Sequence, residues 1–258
     1  MSGKSENFTL EGGVARIVLT ETERGAPINP ASLAALAHGI ALARKADARI
    51  VVLSSAGKAF SVGGDIKSFA SATDPEPQVR ETAQILHNII LELHGLNAIV
   101  ISVVQGVAAG AGFPLAAAAD IVLAARSARF TFAYSKIGLT PDGGSTLLAA
   151  TLGLHRTLQW ALLNPLLTAQ ELCDAGLVAA VYPDDELEAG LASTIQTLLQ
   201  GSRSAQVSAK RLIRNQAINN GRQALDAETA AIAAAAASLD GLEGVRAFVG
   251  KRPPNFLS

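Results

Sequence analysis

The uncharged segment Ala98–Ala119, AIVISVVQGVAAGAGFPLAAAA, decides which class of fold this chain adopts. It is long and apolar enough to be considered as a membrane span. However, glycines, Pro114 and Gln105 interrupt it, much of its apolarity is alanine, and no basic flank orients it. We therefore interpret it as a buried strand over Ala98–Val104, a glycine loop over Gln105–Pro114 and the start of a helix, and we expect no membrane insertion.

Strand-like and helical patterns alternate around this segment. Val14–Thr20 and Arg49–Ser54 are short β-branched runs, whereas Ala31–Lys45 and Gln78–Leu96 place apolar residues at helical spacing. Strands that alternate with helices of this length pair in parallel through helical crossovers. The sequence therefore predicts an α/β fold.

Beyond about Asp184 the strand-like runs stop, and alanine and leucine dominate. The helical stretches there are Glu186–Leu199, Ala205–Ala217 and Ala224–Leu239. We divide the chain into a core, residues 1–195, and a C-terminal helical region, residues 196–258. The alanine run Ala233–Ala237 buries little surface per residue, so it suits close helix packing or a subunit contact.

Composition excludes several classes of function. The 258 residues are 49% hydrophobic and 17% charged, so a large core is expected, with disorder only at the first few residues and at Ser71–Pro77. With 21 basic and 22 acidic residues, the chain offers no field that would hold nucleic acid or an anionic membrane. The single cysteine, Cys173, cannot form an intramolecular disulfide, and Met1–Gly13 is polar, so we expect a cytoplasmic protein. The mean hydropathy of +0.31 then predicts either an unusually apolar core or a subunit interface.

Glycines stand at two strand ends that lead into helices. One segment is Gly57–Phe69, GKAFSVGGDIKSF, and the other is the glycine loop Gln105–Pro114, QGVAAGAGFP. Each can be an ordinary turn, with Asp65 as a helix cap or with glycines that allow tight packing. Together, the two strand ends can direct backbone amides at one carbonyl oxygen, and each such donor is worth about 10² to 10³ in rate. Chemistry on an activated acyl group is then predicted.

A third segment, Phe130–Thr146, FTFAYSKIGLTPDGGST, carries the candidate acid or base. Pro141–Gly144 form a turn, and Ser145 begins another helix. An aspartate at such a place is commonly a cap or turn residue. Asp142 therefore becomes a catalytic candidate only when it is considered beside the two glycine segments.

The three segments, in this order and with these separations, resemble the signature blocks of the enoyl-CoA hydratase/isomerase (crotonase) superfamily. The matching blocks are AFSVGGDIK (59–67), QGVAAGAG (105–112), AYSKIGLTPDGGST (133–146), TAQELCDAGLVAAVYPDDEL (168–187) and GVRAFVGKRPPNF (244–256). The resemblance implies a crotonase-like spiral of ββα repeats with a C-terminal helical trimerisation region, in a homo-trimer or a dimer of trimers. It also implies an acyl-CoA thioester substrate, so coenzyme A would belong to the substrate and no separate cofactor is expected.

The resemblance also implies site residues. The oxyanion amides would belong to Gly64 and Ala111, although the family usually has glycine at the second position. Lys251 is a candidate contact for a CoA phosphate, in its own or a neighbouring subunit. The stretch matching the family's CoA-binding stretch is Gly64, Asp65, Ile66 and Lys67.

Departures from the family separate the function hypotheses. Pro114 and Tyr134 stand where a family hydratase has its two glutamates, so hydration by that mechanism is not expected. Asp142 stands where several family isomerases, including the ring-opening phenylacetyl-CoA and dienoyl-CoA types, have an aspartate. The favoured hypothesis is a double-bond isomerase in which Asp142 moves a proton while Gly64 and Ala111 stabilise the enolate.

Three alternatives remain open. The 4-chlorobenzoyl-CoA dehalogenase branch also lacks the glutamates. The resemblance to it would make Asp142 the nucleophile, Tyr134 the aromatic residue and His87 the histidine of the site. The same covalent chemistry at Asp142 would allow thioester hydrolysis. The others are an atypical hydratase and a non-catalytic acyl-CoA-binding protein. Tyr134 is expected to line the acyl pocket, where its hydroxyl is a candidate proton donor and the alternative is that the ring only fills space. No metal site is predicted, since no recognised ligand spacing occurs among the four histidines, His38, His87, His94 and His155.

Overall fold

The computed structural model describes residues 7–217 and 221–256, in which twelve strands and eleven α-helices occur. The strands are β1 (Phe8–Glu11), β2 (Val14–Leu19), β3 (Pro27–Ile28), β4 (Ile50–Ser55), β5 (Ala59–Ser61), β6 (Gly63–Gly64), β7 (Ile99–Val104), β8 (Val107–Ala109), β9 (Ile121–Ala125), β10 (Arg129–Thr131), β11 (Leu167–Thr168) and β12 (Ala180–Tyr182). The helices are α1 (Pro30–Lys45), α2 (Ile66–Ser71), α3 (Pro75–His94), α4 (Gly112–Ala117), α5 (Ala149–Leu152), α6 (Leu154–Leu163), α7 (Ala169–Asp174), α8 (Leu187–Gln200), α9 (Arg203–Ala217), α10 (Gly221–Ala237) and α11 (Leu239–Val249). Short 3₁₀ helices cover Thr22–Arg24, Ser135–Ile137 and Ser145–Leu148.

The strands form two main sheets and a small pair. The six-stranded sheet has the order β1-β2-β4-β7-β9-β12, and its neighbours are parallel except β1 with β2. The four-stranded sheet has the order β11-β10-β8-β5, with β11 antiparallel, and β3 pairs with β6. Each of β4–β5, β7–β8 and β9–β10 thus sends a long strand to the first sheet and a short strand to the second. This repetition is the predicted ββα spiral.

The tight turn between β7 and β8 explains the polar interruption of the apolar segment. A Cβ at Gly106 would lie 1.9 Å from the carbonyl oxygen of Lys58, so only glycine permits this approach of two backbones. The side-chain nitrogen Nε2 of Gln105 donates to the backbone carbonyl oxygens of Ser55 and Gly57, each at 2.9 Å. Gln105 therefore ties one repeat of the spiral to the preceding one.

The buried strand and the helix start interpreted within Ala98–Ala119 are confirmed, whereas the segment interpreted as a glycine loop also contains the short strand β8. All of β7 is buried, the glycine loop follows it, and α4 begins at Gly112. Phe113 of α4 contacts Phe130 and Phe132 edge to face, with centroids 5.5 and 5.1 Å apart. Across the described residues, no helix combines the length and hydrophobicity needed to cross a bilayer.

The structure differs from the sequence prediction at Ser71–Pro77. Helix α2 ends at Ser71 and α3 already begins at Pro75, so the expected disorder is wrong for this segment. The physical reason is a helix start signal: Pro75 is the first helical residue, and the Asp74 side chain accepts a hydrogen bond from the Glu76 amide. The disorder expected at the first few residues concerns positions 1–6, which lie outside the described residues.

The C-terminal helices pack onto the core of the same chain. Helix α10 lies against α3, and α11 lies against α2. Ala233 and Ala236 are buried within this packing, which accounts for the close helix contact expected of the alanine run. The division into a core and a C-terminal helical region after residue 195 stays a prediction. In the structure, residue 195 lies inside α8.

Candidate active site

An apolar cavity of about 270 Å³ lies where the ends of β6 and β8 meet α3, α10 and α11. Its walls include Phe69, Leu86, Ile232 and Phe248, the last two from the C-terminal helices. Among the described residues, the polar side chains that line it are Thr82, Tyr134 and Asp142. A mostly apolar cavity with a few polar groups is the usual form of a small-molecule site.

A larger cavity, of about 520 Å³, lies on the far side of the Gly143–Gly144 turn. Its charged side chains are already paired: Asp120 contacts Lys210 at 2.9 Å and Arg214 at 2.7 Å. Burial, together with Arg214, lowers the pKa of the neighbouring His94 to about 3, so this histidine is neutral. The smaller cavity is therefore the better candidate for chemistry, because it holds a carboxyl group without a cationic partner.

The two glycine segments meet at the wall of the smaller cavity. Gly63 has φ +83°, and a Cβ there would lie 2.6 Å from the Ala109 oxygen and 3.2 Å from the Ala111 nitrogen. Gly64 and Ala111 both line the cavity. The structure thus brings together the two residues whose amides were predicted to share one oxygen.

The backbone directions of Gly64 and Ala111 suit this role. The Asp65 amide donates to the Ile28 oxygen at 3.2 Å, and because successive strand amides alternate in direction, that of Gly64 points away from β3. Ala111 immediately precedes α4, where amides have no acceptor within the helix. Its φ of −62° and ψ of −17° are ordinary for alanine, so the replacement of the usual glycine causes no backbone strain.

The turn that carries Asp142 closes the other side of the cavity. A Cβ at Gly143 would lie 3.4 Å from the Ala111 Cα, which places this turn against the glycine loop. Asp142 is buried, and the Tyr134 hydroxyl donates to its Oδ1 at 2.6 Å. The backbone oxygen of Asp142, rather than its carboxylate, accepts from the Ser145 amide and hydroxyl. Asp142 is therefore not a helix cap.

Burial sets the protonation of this pair. It raises the pKa of Asp142 to about 6, although the hydrogen bond from Tyr134 acts in the opposite direction. Burial, followed by the charge of Asp142, holds the pKa of Tyr134 well above its usual value. Near neutral pH the site thus contains a carboxylate able to accept a proton and a phenol that donates a hydrogen bond to it.

His87 lies behind the turn rather than in the cavity. Its Nε2 accepts a hydrogen bond from the Gly143 amide at 2.9 Å, and its Nδ1 lies 2.9 Å from Thr229 Oγ1. The side chain is buried. Because both ring nitrogens are occupied, the geometry favours a positioning role over direct catalysis.

The predicted CoA stretch is only partly gathered at the cavity. Gly64 and Ile66 line it, and Asp65 pairs with Arg24 at 2.6 Å instead of capping α2. Lys67 and Lys251 are exposed. Their contacts with CoA remain predictions.

Glu228, which was not among the predicted site residues, has its carboxylate buried behind the Asp142 turn. Glu228 and Thr229 stand on the buried stripe of α10, between Leu225 and Ile232. A polar pair on an otherwise apolar helix face is the signal that marks them. Pro114, at the place of one hydratase glutamate, packs against Gly143 and does not line the smaller cavity.

Two glycine segments that meet at the wall of an apolar cavity, with one buried carboxyl group, are the arrangement expected of a protein that acts on an acyl group. Comparison with known proteins agrees: the model of the enoyl-CoA hydratase/isomerase family matches residues 9–258. The chain belongs to this family. Within the described residues, no group of three or more His, Cys, Asp or Glu side chains is arranged to hold a metal ion.

Similar proteins carry both of the family's activities in their names. The chain is 36% identical over 256 residues to the 1,2-epoxyphenylacetyl-CoA isomerase of Escherichia coli K12, covering 96% of each chain. It is 33% identical over 258 residues to a probable enoyl-CoA hydratase of Rhodobacter capsulatus, covering 99% of each. The structure of an enoyl-CoA hydratase from Mycobacterium avium subsp. paratuberculosis K-10 matches with a TM-score of 0.88 at 33% identity, covering 97% of this chain and 98% of that one. The predicted crotonase-like fold is therefore confirmed.

Proposed function

We propose that the protein is an acyl-CoA isomerase that moves a carbon–carbon double bond through a thioester enolate. The observation that carries the proposal is the placement of Asp142. Among the described residues it is the one carboxylic acid lining the cavity, and its pKa of about 6 suits a group that takes up and returns a proton near neutral pH.

The reaction uses three groups of this chain. The Asp142 carboxylate removes a proton from the carbon beside the thioester carbonyl of a 3-enoyl substrate. The amides of Gly64 and Ala111 hold the negative charge that moves onto the carbonyl oxygen. The protonated Asp142 then returns the proton two carbons further along the chain, which yields the conjugated 2-enoyl thioester without net gain or loss of atoms.

Tyr134 prepares the carboxylate for this transfer. The Tyr134 hydroxyl donates a hydrogen bond to Oδ1 of Asp142 at 2.6 Å. Oδ2 of Asp142 is then the oxygen proposed to accept the substrate proton. The phenol stays protonated because burial raises its pKa. Tyr134 therefore orients the base and stabilises its ionised form.

The substrate is proposed to be a CoA thioester with an apolar acyl group. Relatives named for 1,2-epoxyphenylacetyl-CoA and for trans-2-decenoyl-[acyl-carrier-protein] support thioester isomerisation in this part of the family. The acyl group would lie among Phe69, Leu86 and Phe248, and Gly64–Lys67 with Lys251 would contact CoA. A trimer or a dimer of trimers is proposed from the family resemblance.

The competing readings have less support from the geometry. Hydration would need a second carboxylate in the cavity, and Pro114 and Tyr134 provide none. The dehalogenase or hydrolase reading would use His87 as a base, but its Nε2 already accepts the Gly143 amide. A covalent acyl or aryl adduct on Asp142, trapped by rapid quench and found by mass spectrometry, would nevertheless replace the isomerase proposal.

Proton exchange at the carbon beside the thioester tests the proposal directly. Acyl-CoA thioesters of straight, branched and aromatic type are incubated with the protein in deuterium oxide, and 3-enoyl-CoA is followed for conversion to 2-enoyl-CoA. We expect deuterium incorporation and conversion, both lost in Asp142→Asn. Binding without exchange would indicate a non-catalytic acyl-CoA-binding protein, and net addition of water would indicate an atypical hydratase.

A further inference from the structure

Glu228 of α10 is a buried carboxylate that the mechanism above does not use. Its side chain is 3% exposed. Oε2 accepts from the Gly144 amide at 2.7 Å, and Oε1 accepts from the amide and the hydroxyl of Thr146 at 2.6 and 2.5 Å. All three partners are donors, so the carboxylate acts in its ionised, acceptor-only form.

The neighbouring contact fixes the state of His87. The Thr229 hydroxyl donates to the Leu225 oxygen at 3.1 Å, so it accepts from the His87 Nδ1–H. The unprotonated Nε2 of the ring then accepts from Gly143. This tautomer follows from the hydrogen bonds, and it leaves no proton between Nε2 and Glu228 Oε2, which lie 3.3 Å apart.

The turn after Asp142 is consequently held from behind by two helices. His87 of helix α3 accepts a hydrogen bond from the Gly143 amide. Glu228 of α10 accepts hydrogen bonds from the amides of Gly144 and Thr146. We propose that Glu228 is a positioning residue, which fixes the turn that carries Asp142 and places a second negative charge behind the catalytic carboxyl group. The role in catalysis rests on the isomerase function proposed above.

Three titratable groups face Asp142 from the elements packed around it. Tyr134, just before the 3₁₀ helix Ser135–Ile137, donates a hydrogen bond that lowers the pKa of Asp142. His87 of α3 would lower that pKa only as an imidazolium, and its hydrogen bonds hold it in the neutral form. Glu228 of α10 raises that pKa and so reinforces the larger effect of burial. A more basic carboxylate is a stronger proton acceptor, so the charge of Glu228 supports catalysis as well as structure.

Replacing Glu228 in two ways separates its charge from its geometry. Glu228→Gln removes the charge, and the side-chain NH₂ group of glutamine would face one of the backbone N–H groups that the carboxylate now accepts. We expect the pKa of Asp142 to fall by about half a unit or more, and kcat to fall about 10-fold with little change in KM. Glu228→Asp keeps the charge but shortens the reach, so kcat should fall while the pKa of Asp142 stays near its original value.

The pKa of Asp142 is measured without reference to activity, from the pH dependence of its carboxyl carbon signal in protein labelled with ¹³C-aspartate. Asp142→Asn identifies the signal. The matched control is Glu243→Gln, the same substitution on α11 at a carboxylate paired with Arg252. An unchanged Asp142 midpoint in Glu228→Gln, or an equal shift in Glu243→Gln, would overturn the proposal. A shifted midpoint in a protein without isomerase activity would refute the proposed function and leave the positioning contact standing.

Amide hydrogen exchange in the unmodified protein tests the same contacts if Glu228→Gln does not fold. The amides of Gly143, Gly144 and Thr146 should exchange as slowly as those of buried strands, because each has a buried acceptor. Exchange at the rate of an open loop would contradict the positioning role.

Discussion

Asp142 meets two demands that conflict at neutral pH. It must be ionised to accept a proton, yet it is buried in an apolar cavity where ionisation is unfavourable. The hydrogen bond from Tyr134 offsets part of this cost, and the remainder raises the pKa of Asp142 to about 6 from an ordinary value of 3.8. The side chain proposed to accept the proton is thus also one that, when ionised, destabilises the fold.

The first expected consequence is a pH dependence of activity. Since only the Asp142 carboxylate accepts a proton, kcat/KM should rise as pH increases through about 6 and then level off. Initial rates of 3-enoyl-CoA conversion between pH 4.5 and 8.5 measure this limb. A flat profile over this range would exclude Asp142 as the base.

The second consequence concerns stability. A carboxyl group whose pKa is higher in the folded than in the unfolded state contributes stability below its unfolded pKa, and this is lost as pH rises through the folded pKa. Asp142→Asn does not titrate, so its stability relative to wild type should increase between pH 4 and pH 8, by about 2 kcal/mol for a shift of this size. Urea unfolding at several pH values measures the difference, and a constant offset would contradict the raised pKa.

At the scale of elements, two strand ends form the cavity wall at which the oxyanion amides are proposed, and they do so by different means. Gly63 needs a positive φ and leaves no room for a Cβ, whereas Ala111 has ordinary helical angles. The strand pair β7–β8 and its glycine loop hold both in place. The site therefore tolerates side chains at one strand end and excludes them at the other.

Exchanging these side chains tests that asymmetry. Gly63→Ala should reduce kcat by about 10²-fold or prevent folding, because its Cβ would meet the Ala109 oxygen at 2.6 Å. Ala111→Gly should keep kcat within a few-fold and cost about 0.5 to 1 kcal/mol of stability. Steady-state kinetics and thermal unfolding give both quantities. Equal losses in the two variants would show that the amide positions do not depend on this backbone geometry.

At the scale of the whole molecule, the C-terminal helices complete the catalytic cavity as well as extending the core. Helix α10 supplies Ile232 to the wall and Glu228 to the Asp142 turn, and α11 supplies Phe248. Helix α9 is tied to the core by Lys210, which donates to the Leu93 and Ala98 oxygens and pairs with Asp120. The cavity is consequently incomplete unless α10 and α11 are docked on the core.

Lys210→Met tests how strongly the contacts of Lys210 hold α9 on the core. The change removes a buried cation and leaves two backbone oxygens without their donor, so unfolding free energy should fall by about 3 kcal/mol. The pH at which activity falls to half on the acid side should stay near 6, because Lys210 is not among the groups that shift the pKa of Asp142. Denaturant unfolding and the pH profile are the two measurements. A loss of stability below about 1 kcal/mol would show that the ion cluster does not hold α9 in place.

The sequence by itself determined the α/β class and the glycines at two strand ends, because β-branched runs and glycines at close approaches are local signals. The roles of Gly64, Ala111 and Asp142 follow from the family resemblance and stay predictions. Only the tertiary structure decided the chemistry around them. Glu228 lies 84 residues from the Gly144 amide that it holds, and His87 lies 56 residues from Gly143, so no local pattern relates them. Burial and charge act through space rather than along the chain, and for that reason the pKa of Asp142, the hydrogen bond from Tyr134 and the positioning role of α10 emerge only when the helices pack.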